Sequence, residues 1–187
     1  MTIPAQSEDW IEDVLGFWFE ELGRKAWFAK SPETDAAIRD RFTILYEVLT
    51  TWPAGDALAS PERALATVLV LDQFPRNLFR DDARAFATDA LAREVAREAI
   101  ARGLDENLTV DQRLFLYLPF EHSEDTADQQ RAVDLISVLG DDEYTRFALA
   151  HKKIIDHFGR FPHRNEVLGR NSTMEEKAFL NEPGSTF

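Results

Sequence analysis

Acidic, histidine and glutamine side chains lie on apolar helix faces in the second half of the sequence. His151 occupies a core position of a predicted helix, because apolar residues recur around it with helical spacing. On the preceding predicted helix, steps of four residues back from Val133 reach Gln129 and then Asp125 on the inward-facing line. The side chains that we expect to converge are Glu121, His122, Asp125, Gln129 and His151.

Such a cluster has two main interpretations, and the residue types alone do not choose between them. An unpaired buried polar group costs about 1–3 kcal/mol, so the members must bond to one another, contact water or hold a ligand. The cluster is therefore either a structural network between helices or a ligand or catalytic site. The candidates for acid–base chemistry are Glu121, His122, Asp125, His151 and His163.

The imidazole of His151 is expected to be buried and hydrogen-bonded to a carboxylate, either that of Asp125 or that of Glu121. A neighbouring carboxylate would raise the pKa of His151, whereas burial alone would lower it. Both directions stay open at this point.

A short sequence occurs twice in related form, as QFPRN at 73–77 and as RFPHRN at 160–165. In both places proline is expected to move the preceding phenylalanine out of the helical region. The Arg-Asn pair that follows would either cap the preceding helix or bind an anion, since a guanidinium suits carboxylate and phosphate alike. We expect Arg76, Arg160 and Arg164 to hold the anionic group. The ligand-binding candidates are Asp72, Gln73, Arg76, Asn77, Gln129, Arg160, Arg164 and Asn165.

The charge distribution bears on the class of partner. The chain has 21 Lys and Arg against 34 Asp and Glu, a net charge of −13. Residues 151–170 are an exception, because five basic and two acidic residues give this segment +3. The segment either pairs with acidic neighbours such as Glu121, Glu124 and Asp128 or receives an anion. The expected partner is a small anionic ligand or a protein, with a homodimer left open; the acidic chain argues against nucleic acid and membrane surfaces.

Several classes of protein are excluded by composition and motif. The sequence has no cysteine, which excludes disulfide frameworks, zinc fingers and thiol nucleophiles. Phosphate-binding glycine loops, the G-x-S-x-G elbow and the H-E-x-x-H metal motif are lacking, so we expect no metal, and no cofactor is identified. The N-terminus does not resemble a signal peptide and no apolar run could span a bilayer, which favours a cytoplasmic location.

The elements that must position these residues are helices. Capping residues, several of them followed by proline or acidic residues, alternate with helix-ending glycines. The predicted caps include Ser7, Ser31, Ser60, Thr109 with Gln112, Ser123, and Ser172 with Glu175. The predicted helices cover 8–22, 32–51, 61–73, 89–102, 110–118, 124–139, 142–158 and 174–180. We therefore predict one all-α domain over residues 1–187, built from antiparallel helix pairs.

The chain resembles the bacterial family catalogued as domain of unknown function 924. The resemblance rests on His151 and on the following strings: LDQFPRNLFR at 71–80, AFATD at 85–89, YLPFEHSED at 117–125, FGRFPHRN at 158–165, LGRNST at 168–173 and PGSTF at 183–187. It implies a helical fold similar to the right-handed superhelices of tetratricopeptide repeats. It implies no activity, cofactor or catalytic residue.

Two functional hypotheses follow. The first is a small-molecule site at helix junctions that binds an anionic ligand, with or without enzymatic activity. The alternative is a tetratricopeptide-like protein-interaction module without catalytic activity, whose concave surface would receive a peptide or partner helix.

Overall fold

The computed structural model of this protein describes residues 8–185, and no β-strand occurs among them. The all-α prediction is thus confirmed. The α-helices are α1 (Asp9–Leu15), α2 (Arg24–Trp27), α3 (Pro32–Leu49), α4 (Pro61–Val68), α5 (Phe74–Leu78), α6 (Asp89–Ala101), α7 (Val110–Glu121), α8 (Thr126–Ser137), α9 (Asp142–Phe158) and α10 (Met174–Phe179). Two π-helical segments cover Gly16–Leu22 and Leu69–Gln73, and the short 3₁₀ helices are Ala54–Ala57, Ala83–Phe86 and Pro162–Arg164.

The described chain divides into two compact units. The first comprises residues 8–80 and 84–119, and the second comprises residues 81–83 and 120–185. The boundary after residue 119 falls inside α7. The expectation of one domain and that of a tetratricopeptide-like superhelix stay predictions.

The first unit is built around aromatic side chains. The ring of Phe74 lies 4.9 Å from that of Phe42 and 5.7 Å from that of Trp18, and Trp18 packs edge-on against Phe115 at 5.4 Å. Such tilted and edge-to-face pairs contribute about 0.5–1.5 kcal/mol each beyond the area that they bury. The first helical stretch of the chain contributes many apolar side chains to this core: Trp10, Ile11, Val14, Phe17 and Trp18 are all buried.

Several predicted helix starts are confirmed by their caps. The hydroxyls of Ser31 and Ser60 accept the backbone N–H groups of Thr34 and Arg63, each 3.1 Å away and each before a proline at the first turn. Thr109 and Gln112 form the predicted reciprocal capping box. The box predicted at Ser172 lies one residue further on, at Thr173 and Glu176. Ser7 lies outside the described residues.

Prolines interrupt the helices less than predicted. Phe74 was expected to leave the helical region before Pro75, yet it is helical, with φ −59° and ψ −36°. Pro75 stands in the first turn of α5, where its missing N–H has no helical partner to lose, and the ring of Phe74 is fully buried. The expected stop at Pro119 is also wrong: α7 continues to Glu121, because the side chains around the proline, Leu118 and Phe120, are buried.

The second unit is built on a helical hairpin. Helices α8 and α9 pack against each other across the short connection 138–141, in which Asp141 caps the start of α9. Gly159 ends α9 in the left-handed conformation, with φ 69°, as the sequence predicted. Beyond it Phe161 is extended before Pro162, as expected, and its ring is fully buried beside Ile154 and Ile155.

Candidate functional site

A buried histidine–carboxylate contact lies at the centre of the second unit. His151, on α9, is 6% exposed, and Glu121, the last residue of α7, is 3% exposed. The Nδ1 atom of His151 lies 3.0 Å from Oε1 of Glu121 and 2.9 Å from the carbonyl oxygen of Phe147. The prediction of a buried His151 beside a carboxylate is confirmed, with Glu121 as the partner.

The surroundings of Nδ1 determine the protonation of His151. A carbonyl oxygen only accepts hydrogen bonds, so Nδ1 carries the proton, and in the neutral ring Nε2 is then the acceptor nitrogen. The pKa of His151 is lowered to about 3. Burial is the largest cause, and the nearby His122, Arg164 and His163 act in the same direction, whereas the hydrogen bond to the Phe147 carbonyl acts against them. The sequence left open whether a carboxylate raises the pKa of His151 or burial lowers it. Burial has the larger effect, so His151 is neutral at physiological pH.

Aromatic and basic side chains surround this pair. The ring of His122 lies 6.3 Å from that of His151, and Phe161 meets His151 edge-on at 5.7 Å. Phe161 also lies 5.6 Å from the ring of His163 and 4.5 Å from the guanidinium carbon of Arg164. We call Glu121, His122, His151, Phe161, His163 and Arg164 the His151 cluster. Its members are buried except His122 and His163, which are partly exposed and give the cluster an edge toward solvent.

Asp125 does not belong to the His151 cluster, which corrects the expectation that it faces inward. Its side chain is exposed and caps α8 by accepting the backbone N–H groups of Ala127 (2.8 Å) and Asp128 (3.1 Å). The four-residue line drawn back from Val133 fails there because α8 begins at Thr126, one residue later. Ser123, the predicted cap, instead bonds to Asp128 at 2.8 Å.

Gln129, by contrast, is inward as predicted and is fully buried. Its amide nitrogen donates to the backbone carbonyls of Glu121 at 2.5 Å and of Ser123 at 2.7 Å. It thus contacts the segment that carries His122.

The basic segment 151–170 pairs with carboxylates, one of the two outcomes expected. Both guanidinium nitrogens of Arg170 bond to Glu124, at 2.7 and 3.0 Å, and Glu124 also accepts the backbone N–H of Phe161 at 2.8 Å. Burial would raise the pKa of Glu124, but the hydrogen bonds from Arg170 and Phe161 outweigh it and lower the pKa. Glu124 thereby fixes the backbone that presents Phe161 to the His151 cluster.

Arg160 is also paired. It donates to both oxygens of Glu176, at 2.6 and 2.9 Å, and to the carbonyl of Asn171. These hydrogen bonds lower the pKa of Glu176 to about 2. Asn165 is buried and donates to Ser172 at 3.0 Å. Sequence reasoning missed Glu176, and the capping box at Thr173 was the pattern that could have identified it.

The candidates of the first unit form a separate ionic network. Arg76 donates to both oxygens of Asp89, at 3.0 and 3.2 Å, and to the backbone carbonyl of Asp72, whose carboxylate lies 3.6 Å away. Burial alone would lower the pKa of Arg76, yet Asp72 and Asp89 raise it. Gln73 donates to Asp72 at 2.7 Å. These contacts join the π-helical segment Leu69–Gln73 to α5 and α6. The sequence did not predict this structural role, because no pattern marked Asp89 as the partner of Arg76.

Asn77 belongs to a second ionic network of that unit. It donates to Asp35 at 2.8 Å, and Arg80 binds the same carboxylate through two nitrogens at 2.9 and 2.6 Å. The ligand-binding role of Asp72, Gln73, Arg76 and Asn77 stays a prediction.

A cavity of about 250 Å³ lies elsewhere in the first unit. Its lining comprises Phe19, Arg24, Trp27, Thr109, Asp111 and Gln112. None of the predicted site residues lines it. Within residues 8–185, no three His, Asp or Glu side chains are arranged to hold a metal ion. Nor is any helix in this described range long and apolar enough to cross a membrane.

The chain is similar in sequence and fold to a protein of known structure. A solved structure of a protein of unknown function, ATU0120 from Agrobacterium tumefaciens, is 44% identical in sequence and superposes with a TM-score of 0.87. The match covers 91% of this chain and 96% of that one. No curated protein sequence matches this chain. Residues 14–184 match the family model described as bacterial protein of unknown function (DUF924), and the chain therefore belongs to that family.

Proposed function

We propose that the second unit binds a small anionic ligand at the His151 cluster. The observation that carries this proposal is the position of Arg164. This residue is only 7% exposed, its guanidinium lies over the ring of Phe161, and Phe161 contacts His151 and His163. A guanidinium offers donors in a planar fork that matches carboxylate and phosphate oxygens. Partly exposed His122 and His163 would add donors at the solvent edge of the cluster.

The other two arginines considered for this role are less suited to it. Arg76 shares its charge with Asp72 and Asp89, and Arg160 donates twice to Glu176. The guanidinium carbon of Arg164, by contrast, lies 4.5 Å from the ring of Phe161 within the His151 cluster. This position is the reason why the proposal rests on Arg164.

The chemistry available to a bound anion follows from the state of His151. Nδ1 donates to Phe147 and Glu121, so Nε2 is the acceptor nitrogen of the neutral ring. We propose that a hydroxyl or amine of the ligand donates to this nitrogen. A pKa of about 3 makes this ring a hydrogen-bond acceptor that stays uncharged at neutral pH. A group with this pKa is a weak base at neutral pH, so we propose that His151 orients a bound ligand and does not itself transfer a proton.

The test is ligand-dependent stability. Phosphate, sulfate, acetate and succinate would be added at constant ionic strength while the melting temperature is followed. A ligand that binds only the folded state raises stability by RT ln(1 + [L]/Kd). We expect at least one of these anions to raise the melting temperature of the wild type in a saturable manner.

The variant Arg164→Met should lose this response. Its matched control is Arg146→Met, since Arg146 also stacks on a phenylalanine, at 4.9 Å from the Phe147 ring, but is 69% exposed. The control should respond as the wild type does. Equal responses of all three proteins, or a response in none, would contradict the proposal.

A further inference from the structure

The buried side-chain amide of Gln129 donates hydrogen bonds to the backbone before and after His122. Gln129 is fully buried, and its Nε2 donates to the carbonyl of Glu121 at 2.5 Å and to that of Ser123 at 2.7 Å. From this geometry we infer that Gln129 is the positioning residue of the His151 cluster. It sets the orientation of the Glu121 and His122 side chains relative to His151. Its consequence for ligand binding rests on the function proposed above.

The end of α7 needs such a residue. The last carbonyls of a helix have no N–H partner within it, and α7 ends at Glu121. Gln129, on the facing helix α8, supplies a donor to the carbonyl of Glu121 at the helix end and a second donor to that of Ser123, two residues beyond it. The backbone is thereby held at the residues before and after His122, and this restricts the directions in which Glu121 and His122 project.

Segment 121–123 makes a further contact with α8 through the side chain of Ser123. The hydroxyl of Ser123 donates to Asp128 at 2.8 Å and accepts the backbone N–H of Asp125 at 3.2 Å. Segment 121–123 is therefore attached to the first turns of α8 through both Gln129 and Asp128. The attachment matters to the cluster because Glu121 lies 3.0 Å from His151 and the ring of the partly exposed His122 lies 6.3 Å from the His151 ring.

The experiment measures the ¹⁵N chemical shifts of the histidine side chains. The chain has four histidines, so a ¹⁵N spectrum of the imidazole nitrogens, recorded without any added ligand, contains few and assignable signals. Gln129→Met keeps a similar length but removes both donors, and Gln129→Glu keeps at most one donor when its carboxyl is protonated. The control is Gln130→Met, since Gln130 is exposed and bonds only within α8, to Asp134 at 2.9 Å.

We expect the Gln129 variants to shift the signals of His122 and His151 and to leave the exposed His157 unchanged, while Gln130→Met changes none. Folded Gln129 variants with a wild-type histidine spectrum would overturn the inference. So would failure of both variants to fold, since Gln129 would then be a residue of the core rather than of the site. A wild type that binds no anion would instead refute the proposed function and leave this spectral result standing. Where the wild type does bind phosphate, the variants with shifted signals should bind it more weakly.

Discussion

At the scale of single residues, His151 shows how burial can dominate a contact with a carboxylate. Its Nδ1 proton is donated to a carbonyl and shared with Glu121, and both contacts exist without a charge on the ring. Burial leaves little solvent to stabilise a positive charge on the ring, and His122, Arg164 and His163 oppose such a charge as well. The neutral imidazole is therefore the native form.

This state makes stability depend on pH in a defined direction. The pKa of His151 is about 3 in the folded protein and about 6.5 in the unfolded chain, so the unfolded chain binds the extra proton between these values. The contribution of His151 is complete above pH 6.5 and is lost as the pH falls toward 3, by up to about 1.4 kcal/mol per pH unit. Urea unfolding should show that the free energy of unfolding falls more between pH 7 and pH 5 for the wild type than for His151→Gln.

The matched control for that comparison is His157→Gln, because His157 is exposed and contacts Glu175 at the surface. It should keep the wild-type dependence on pH. His151→Ala, which also removes packing, should cost roughly 2–4 kcal/mol at pH 7. Identical pH dependence of the wild type and His151→Gln would show that His151 titrates normally in the folded state.

Arg76 is predicted to matter for stability in the first unit. Arg76→Met would leave Asp72, which is fully buried, and Asp89 without their shared cation. Breaking a buried ion pair from one side costs roughly 3–5 kcal/mol, and we expect a loss of that size in chemical denaturation. Arg102→Met, which removes an exposed pair with Glu98, should cost less than about 1 kcal/mol. A similarly small loss for Arg76→Met would contradict the structural role assigned to it.

At the scale of the elements, the sequence predicted where helices begin better than where they end. Ser31, Ser60 and Thr109 were identifiable because capping depends on local side chains, as the structure confirms. The effects of Pro75 and Pro119 were predicted wrongly because they depend on the tertiary burial of the neighbouring Phe74 and Phe120. A local pattern carries no information on such burial.

The last helix provides an element-scale prediction. Arg160 and the cap residue Thr173 both bond to Glu176, whose pKa falls to about 2 from an unfolded value of about 4.3. This contribution to stability is present above the unfolded pKa and is lost as the pH falls through the folded one. Glu176→Gln should therefore lower the melting temperature at pH 7. The difference in melting temperature between this variant and the wild type should become smaller as the pH falls toward 2.

Glu175→Gln serves as the control, because Glu175 is an exposed neighbour on the same helix. It should stay close to the wild type across this range. A Glu176→Gln protein as stable as the wild type at pH 7 would mean that the bonds to Arg160 and Thr173 do not hold α10.

At the scale of the whole molecule, the His151 cluster could be predicted only in part. Helical spacing identified His151 and Gln129 as inward, and the string around Glu121 placed a carboxylate near them. Arg164 was named as an anion-binding candidate, but its contact with Phe161 could not be predicted, since that contact depends on the turn after α9 and on the attachment of this turn to Glu124. Asp125 was misplaced because α8 begins at Thr126, two residues after the predicted start at 124, so Asp125 caps the helix instead of lying on its inward face.

The net charge of −13 gives a second expectation for the molecule as a whole. Phosphate backbones should be repelled, and the basic arginines Arg160 and Arg170 are already paired with carboxylates. Fluorescence anisotropy with labelled duplex DNA or RNA at physiological salt should therefore show no binding. Binding that weakens with a steep salt dependence would refute this expectation.

The central claim is that a small anion binds at the His151 cluster, and imidazole ¹⁵N spectra of the wild type during titration with phosphate, and separately with succinate, test it most directly. His157, the fourth histidine, is exposed on α9 and serves as an internal control. We predict that His122, His151 and His163 shift together and saturate with one dissociation constant, while His157 does not move. Four unchanged signals with both anions, or a shift of His157 equal to that of the other three, would contradict the claim.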